Sequence, residues 1–272
     1  MQAETFETLP TDPGDPLHAA MLLHAEQAAP RECCGLVVRS AVGAAPAYWP
    51  CRNLSPGTEP DRFELDPADY AAAEEAGEVL AVVHSHPNAS ANPSMADRVQ
   101  CEKSGLPWLV IGWPSGVVKL LQPSGWQAPY KGREFHHGMI DCYTLIQDWF
   151  RRELAVVLPD FDRADGWWEA DPERPGYTRQ DLYMAHFTEA GFVRVFGEPQ
   201  RHDGLLMQVK ADVANHGAVY LGDGTMLHHL HGRLSEETVY GGYWQRHTVA
   251  LVRHISRIEP ANAFAVALQA AA

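Results

Sequence analysis

The sequence predicts an α+β protein of two domains, and three observations predict it. A chain of 272 residues is long for one ordinary domain and lets each of two bury its own core. Helical periodicity and short strand-like runs occur in both halves of the chain, and in the second half the helical pattern precedes a run of strands. Between the halves, Gln122-Pro-Ser-Gly-Trp-Gln-Ala-Pro129 concentrates turn residues and has no periodicity, so the domains are expected at 1–125 and 126–272.

In the first half, Leu17, Met21, Leu22 and Ala25 recur at helical spacing between Pro16 and Ala29, and Pro30 ends that helix. Gly35–Arg39 and Pro46–Asn53 read as paired strands. Asp66-Pro67 supplies an N-cap and a proline suited to the first helical position, opening a helix through Ala76. Val79–His84 reads as a buried strand, and Ser94 or a neighbour caps a helix toward Ser104. Trp108–Trp113 and Val117–Leu121 complete a helix-plus-sheet domain.

In the second half, Leu145, Ile146, Trp149, Phe150 and Leu154 mark a long amphipathic helix, Cys142–Val156, starting directly after Asp141. An aromatic and acidic stretch, 159–200, interrupts the pattern; it contains Trp167-Trp168 and one expected helix, Leu182–Ala190, entered through Thr178-Arg-Gln-Asp181. Leu205–Lys210, Gly217–Leu221, Met226–Leu230 and Val249–His254 then read as strands separated by turns such as Gly222-Asp-Gly224. The second domain is thus a helix followed by an antiparallel sheet.

Composition narrows the partners. With 46% hydrophobic and 21% charged residues the chain reads as globular, and its formal net charge of -14 repels phosphate backbones and anionic lipid headgroups. Nucleic acid is not an expected partner. No run of some 18 apolar residues is present to span a membrane, and Met1–Pro10 carries neither a basic nor an apolar region of a secretory signal. Five cysteines, irregularly spaced, are expected to be reduced, with Cys33, Cys34, Cys51 and Cys101 structural.

Two constellations carry chemistry. In the first, His84 and His86 are two apart at a strand end and point to one face, and Asp97 stands at the start of the next helix. Together they form a three-ligand set for Zn2+ with one position open. Glu32, in Pro30-Arg-Glu-Cys-Cys-Gly35, is the candidate general base, and Ser94 the candidate hydrogen-bond donor to a developing oxyanion. In the second, Cys142 opens a helix whose unpaired amides and dipole favour a thiolate. His216, at a strand start, is its candidate base, and His228, expected at the matching position of the next strand, orients it.

The upstream Glu32 and the spacing H-x-H-x7-S-x2-D over His84–Asp97 resemble the JAMM (MPN+) metalloproteases across about residues 15–121. The resemblance implies an α/β/α sandwich and a zinc-dependent peptidase or isopeptidase. Asp141-Cys142, His216-x-x-Val-Tyr-Leu and Leu-His228 resemble the NlpC/P60 family, with Asp-Cys-Tyr-Thr in place of the usual Asp-Cys-Ser-Gly. That implies a papain-like fold cutting peptidoglycan stem peptides, with Tyr130, twelve residues before the nucleophile, contacting substrate.

The order of the two domains is similar to the family of phage lambda tail assembly protein K. That likeness implies a tail-tip component with murein endopeptidase activity, made in the host cytoplasm, carried on the virion tail and acting on the periplasmic wall. Other tail-tip proteins are its implied partners. A cytosolic protease maturing a tail protein and a mainly structural tail-tip subunit are the competing functions.

Overall fold

The computed structural model describes residues 9, 12, 14–40, 45–55, 62–163, 165–169 and 179–258. The chain forms two compact units, residues 1–127 and 128–272. Thr178 and the Ala-rich C-terminus lie outside the described residues.

In the first unit, α1 (Pro16–Ala28) starts at Asp15, whose carboxylate accepts from Leu17 N. β1 (Cys34–Ser40) and β2 (Ala47–Cys51) pair antiparallel, followed by α2 (Pro67–Ala76), β3 (Gly77–Pro87), α3 (Met95–Ser104), β4 (Trp108–Trp113) and β5 (Val117–Leu121). The cap on α2 is Asp66, accepting from Ala68 N, with Pro67 next to it as expected. The sheet runs β2-β1-β3-β4-β5, with β3 and β4 parallel. Such a parallel pair needs a crossover, which α3 supplies.

Both faces of this sheet are covered. Met21 and Ala25 of α1 pack with Val37, Ala81, Val83, Leu109 and Ile111, whereas Ala73 of α2 and Cys101 of α3 pack with Leu36, Val82 and Trp108. An α/β/α sandwich results, as expected for strands buried on both faces. β3 is longer than the predicted Val79–His84 because pairing with β1 and β4 holds both of its ends.

In the second unit, α4 (Cys142–Leu154) is capped by a reciprocal box between Asp141 and Thr144 and ends at Ala155, where φ of 53° turns the chain. α5 (Leu182–His186), β6 (Phe192–Val195), β7 (Gly204–Met207), β8 (His216–Tyr220), β9 (Thr225–His228), β10 (Glu236–Val239), α6 (Tyr243–His247) and β11 (Thr248–His254) follow. The antiparallel sheet has the order β10-β9-β8-β7-β11-β6. Leu145, Ile146, Trp149 and Phe150 of α4 pack on Leu206, Val219, Leu227 and Val252. The alternate strand residues Leu205, Met207, Ala218 and Met226 pack with Trp244 on the other face.

Among the described residues of this unit, β6, β10, α6 and a short 3-10 helix, Ile255–Arg257, escape the sequence reading. α5 is also shorter than Leu182–Ala190 and is capped by Asp181, whose side chain accepts from Met184 N. Beyond its C-cap Phe187, a turn closes with Phe192 N donating to Phe187 O, and Gly191 at φ 83° redirects the chain into β6. None of the described helices is long and apolar enough to cross a membrane.

Candidate metal and cysteine sites

His84 and His86 lie at the C-terminal end of β3, and Asp97 is the third residue of α3. The crossover brings them together. His84 Nε2 is 3.0 Å from Asp97 Oδ1, His86 Nε2 is 3.2 Å from Asp97 Oδ2, and the two Nε2 atoms are 3.1 Å apart. A tetrahedral ion with bonds of ordinary zinc length asks for ligand separations of about 3.3 Å, so a small outward adjustment admits one. Two imidazole nitrogens and a carboxylate converging in a largely buried position are a donor set suited to Zn2+.

Second contacts hold each ligand. His86 Nδ1 faces Ser90 O at 3.0 Å, which makes Nδ1 the protonated nitrogen and leaves Nε2 free. The His84 ring is held by Phe63, stacked at 4.9 Å, and by Trp108, edge-on at 5.4 Å. Asp97 belongs to a capping box: Ser94 Oγ accepts from Asp97 N at 3.0 Å while Ser94 N donates to Asp97 Oδ2 at 2.7 Å. Burial opposes its charge, but the two histidines and this N–H hold the carboxyl far below the usual range. For His86, burial is outweighed by Asp97, and its pKa is raised.

Glu32 is buried, in the segment entering β1. Cys34 pairs with His84, and Cys33 remains tied to β3 through Ser85 N to Cys33 O at 3.2 Å and Cys33 N to Ser85 Oγ at 2.9 Å. Continuing that register by two residues sets Glu32 opposite His86, on the face that carries both histidines. The Glu32 charge is felt at His86. Ser94 serves α3 as its N-cap, so its oxygen is engaged with the backbone while its hydroxyl hydrogen remains free to donate.

Cys142 is the first residue of α4. Its sulfur lies 3.1 Å from Tyr183 Oη, its hydrogen-bond partner rather than a His216 ring nitrogen, and the nearby Gly217 N–H favours its charged form. Burial and the adjacent Asp141 carboxylate push the thiol up to about 11, outweighing Tyr183, Gly217 and Arg163, which pull it down. The expected thiolate is therefore not the resting state. Arg163 grips Asp141, Nε to Oδ2 at 2.7 Å and Nη2 to Oδ1 at 3.3 Å. Against burial, that ion pair holds the Asp141 carboxyl below its ordinary value.

His216 and His228 share the sheet face under Trp244, whose ring is 4.6 Å from that of His228. His216 Nε2 and His228 Nδ1 are 3.1 Å apart. The expected register is corrected here: His228 sits opposite Ala218, not His216, because the turn pairs Tyr220 with Met226. The two histidines are diagonal neighbours, within reach through their side chains. Burial, then the neighbouring His228 and His229, lower His216 to about 3. Glu236, directly across from His228 on β10, brings Oε1 to 3.6 Å from the buried His228 Nε2.

A cavity of about 360 Å³ opens onto the thiol, lined by Cys142, His216, Phe161, Trp167, Trp168 and Tyr183 among others. Tyr130 is not among its lining residues. It packs tilted on Trp149 at 5.1 Å and donates to Glu153 Oε1 at 2.9 Å, about two and three turns down α4 from Cys142. Sequence reasoning missed Arg163, Tyr183 and Glu236. Arg163 sits in the aromatic and acidic stretch that matches no motif, Tyr183 sits in a helix expected only as structure, and Glu236 sits in the polar run Glu236-Glu-Thr-Val239, which carries no apolar alternation. The remaining cysteines, Cys33, Cys34, Cys51 and Cys101, are free and buried.

Comparison with known proteins agrees with this division. A family model described as prokaryotic homologs of the JAB domain matches residues 14–124, and the NlpC/P60 family matches residues 129–253. A relative named tail tip assembly protein K, from Escherichia phage N15, is 42% identical over 86% of this chain and 93% of its own. The protein of the same name from Escherichia phage lambda is 38% identical over 70% of this chain and 89% of its own. A solved JAB1/MPN domain protein from Archaeoglobus fulgidus is 21% identical over 42% of this chain and 90% of its own, with a TM-score of 0.27.

Proposed function

We propose that this chain, which belongs to the tail tip assembly protein K family, is a tail-tip component that cleaves peptidoglycan stem peptides with Cys142 and carries a second, zinc-dependent peptidase site. The observation that carries the reading is the nucleophile at the first turn of α4 sharing a cavity with His216, itself bonded to His228. Made inside the host, carried on the virion tail, it meets the periplasmic wall when the tail engages the cell. Its other partners are neighbouring tail-tip proteins.

The residues divide the work by their nitrogen atoms. His228 Nδ1 accepts from His216 Nε2–H, leaving His216 Nδ1 to take the Cys142 proton. With Nδ1 accepting, His228 carries its own proton on Nε2, facing Glu236. Cys142 attacks the peptide carbonyl as the proton leaves, and the amine departs with that proton from His216. A pair that is neutral at rest needs this coupled transfer rather than a preformed thiolate. Hydrogen bonds between nucleophile and base tighten when substrate binds, so the Tyr183 and Gly217 contacts of the resting thiol are compatible with it.

In the first unit, His84, His86 and Asp97 would hold Zn2+, which when bound acidifies a water and polarises a carbonyl. Glu32 takes the proton of the attacking water and returns it to the leaving amine. The Ser94 hydroxyl donates to the oxygen on which charge develops.

Digestion of purified peptidoglycan by wild type, Glu32→Gln and Cys142→Ala protein, with mass analysis of released peptides, tests the assignment. Stem-peptide fragments from wild type and Glu32→Gln, and none from Cys142→Ala, are expected. Undiminished release by Cys142→Ala rejects it.

A further inference from the structure

Two described parts of the stretch 159–200 meet the head of α4. From one side Arg163 clamps Asp141, and from the other α5 delivers Tyr183, whose Oη lies 3.1 Å from Cys142 Sγ. Trp167, at a ring distance of 6.2 Å, and Tyr143, at 6.4 Å, flank the Tyr183 ring at the cavity wall. Room for the phenol depends on Gly217: a Cβ there would stand 2.7 Å from Tyr183 Oη and 2.8 Å from Ile146 Cδ1. The strand that carries His216 is thus hollowed at its second residue where the phenol reaches the thiol.

We infer that Tyr183 is a catalytic hydrogen-bond donor of the cysteine site, holding first the sulfur and then the carbonyl oxygen as negative charge passes from one to the other. The inference rests on the proposed peptidase reading. When His216 takes the thiol proton, the phenol is left as the donor beside the sulfur, since a thiolate can only accept. The sulfur then bonds to the carbonyl carbon, and the π pair moves to the oxygen. That oxygen is one bond beyond the carbon joined to Sγ, within reach of the same O–H.

Tyr183 keeps its own proton throughout. On collapse the C–N bond breaks and the amine takes the proton from His216; water then attacks the thioester, gives a proton to His216, and the C–S bond breaks to restore the thiol. Burial and the neighbouring Cys142 hold the Tyr183 hydroxyl well above its ordinary pKa, so it stays a donor across this cycle. An inserted stretch that would otherwise decorate the fold supplies part of the chemistry.

Tyr183→Phe in the full chain keeps the ring and removes the donor. The rate of iodoacetamide alkylation at Cys142, read by mass spectrometry against pH, is expected to fall several-fold at fixed pH, because the thiolate loses its donor. Peptidoglycan hydrolysis is expected to lose roughly 100-fold in kcat with KM little changed, the size usual for one oxyanion donor. Faster alkylation, or unchanged kcat, overturns the inference and makes Tyr183 a cover over the thiol. Circular dichroism and Tm of the variant establish that the fold is kept. The alkylation arm needs no substrate. If Cys142→Ala still digests the wall, the peptidase reading fails, while slower alkylation of Tyr183→Phe still registers the donor.

Discussion

Cys142 and His216 both rest uncharged at neutral pH, for one physical reason: each is buried where its charged form loses more solvation than its neighbours return. The sign of the consequence follows. A thiol raised to about 11 favours its protonated form in the folded chain, so native alkylation of Cys142 should climb about tenfold per pH unit through pH 9 and level only toward 11. Levelling at pH 8 or below, measured by mass spectrometry, contradicts this. Glu236 reaches only His228 in the proposed mechanism and is half exposed, so Glu236→Gln should lower kcat by much less than Cys142→Ala, with KM unchanged. A loss equal to that of Cys142→Ala would place it in contact with the reacting atoms. At the other site, His84→Ala or His86→Ala should remove the roughly one zinc expected per chain, read by metal analysis of folded protein.

The elements were legible where local chemistry writes their ends. Asp66-Pro67, Ser94 and Asp141 each mark a helix start from sequence, and in each case the side chain accepts from the first turn. Ser94→Ala should therefore cost the first unit about 1 kcal/mol in urea unfolding and also weaken zinc binding, because the same box fixes Asp97. β10 and α6 escape a reading of the sequence because they are short and lack an apolar stripe: β10 is Glu-Glu-Thr-Val, and α6 has no side-chain cap. Their place comes from β9 and from the Trp244 contacts rather than from propensity. Arg133 is likewise silent in sequence, yet its buried guanidinium pairs with Asp148 of α4 at 2.8 Å and donates to Ala128 O. Arg133→Leu should lower stability by about 2 kcal/mol in urea, because Ala128 O and Pro129 O lose a charged donor while Asp148 keeps Arg151 and Arg152.

Each half of the molecule has its own apolar clusters, those of the first drawn from residues 9–121 and those of the second from 130–252. The segment before the boundary belongs to the first half, since Glu102 accepts from the backbone of Ser124, Gly125 and Trp126. Residues 1–127 and 128–272 made separately should each unfold cooperatively, the first binding zinc and the second retaining Cys142 reactivity; a fragment without a cooperative urea transition contradicts this. The sequence by itself determined the two-domain α+β architecture and the family resemblances, and it singled out the candidates His84, His86, Asp97, Cys142, His216 and His228, because metal-ligand spacing, helix caps and alternation are local. Only the tertiary structure decided that the thiol is protonated at rest, that His228 is diagonal to His216, that Tyr130 packs on α4 away from the cavity, and that Arg163, Tyr183 and Glu236 join the cysteine site. Desolvation, strand register and contacts across tens of residues depend on which surfaces meet, and no local pattern encodes them.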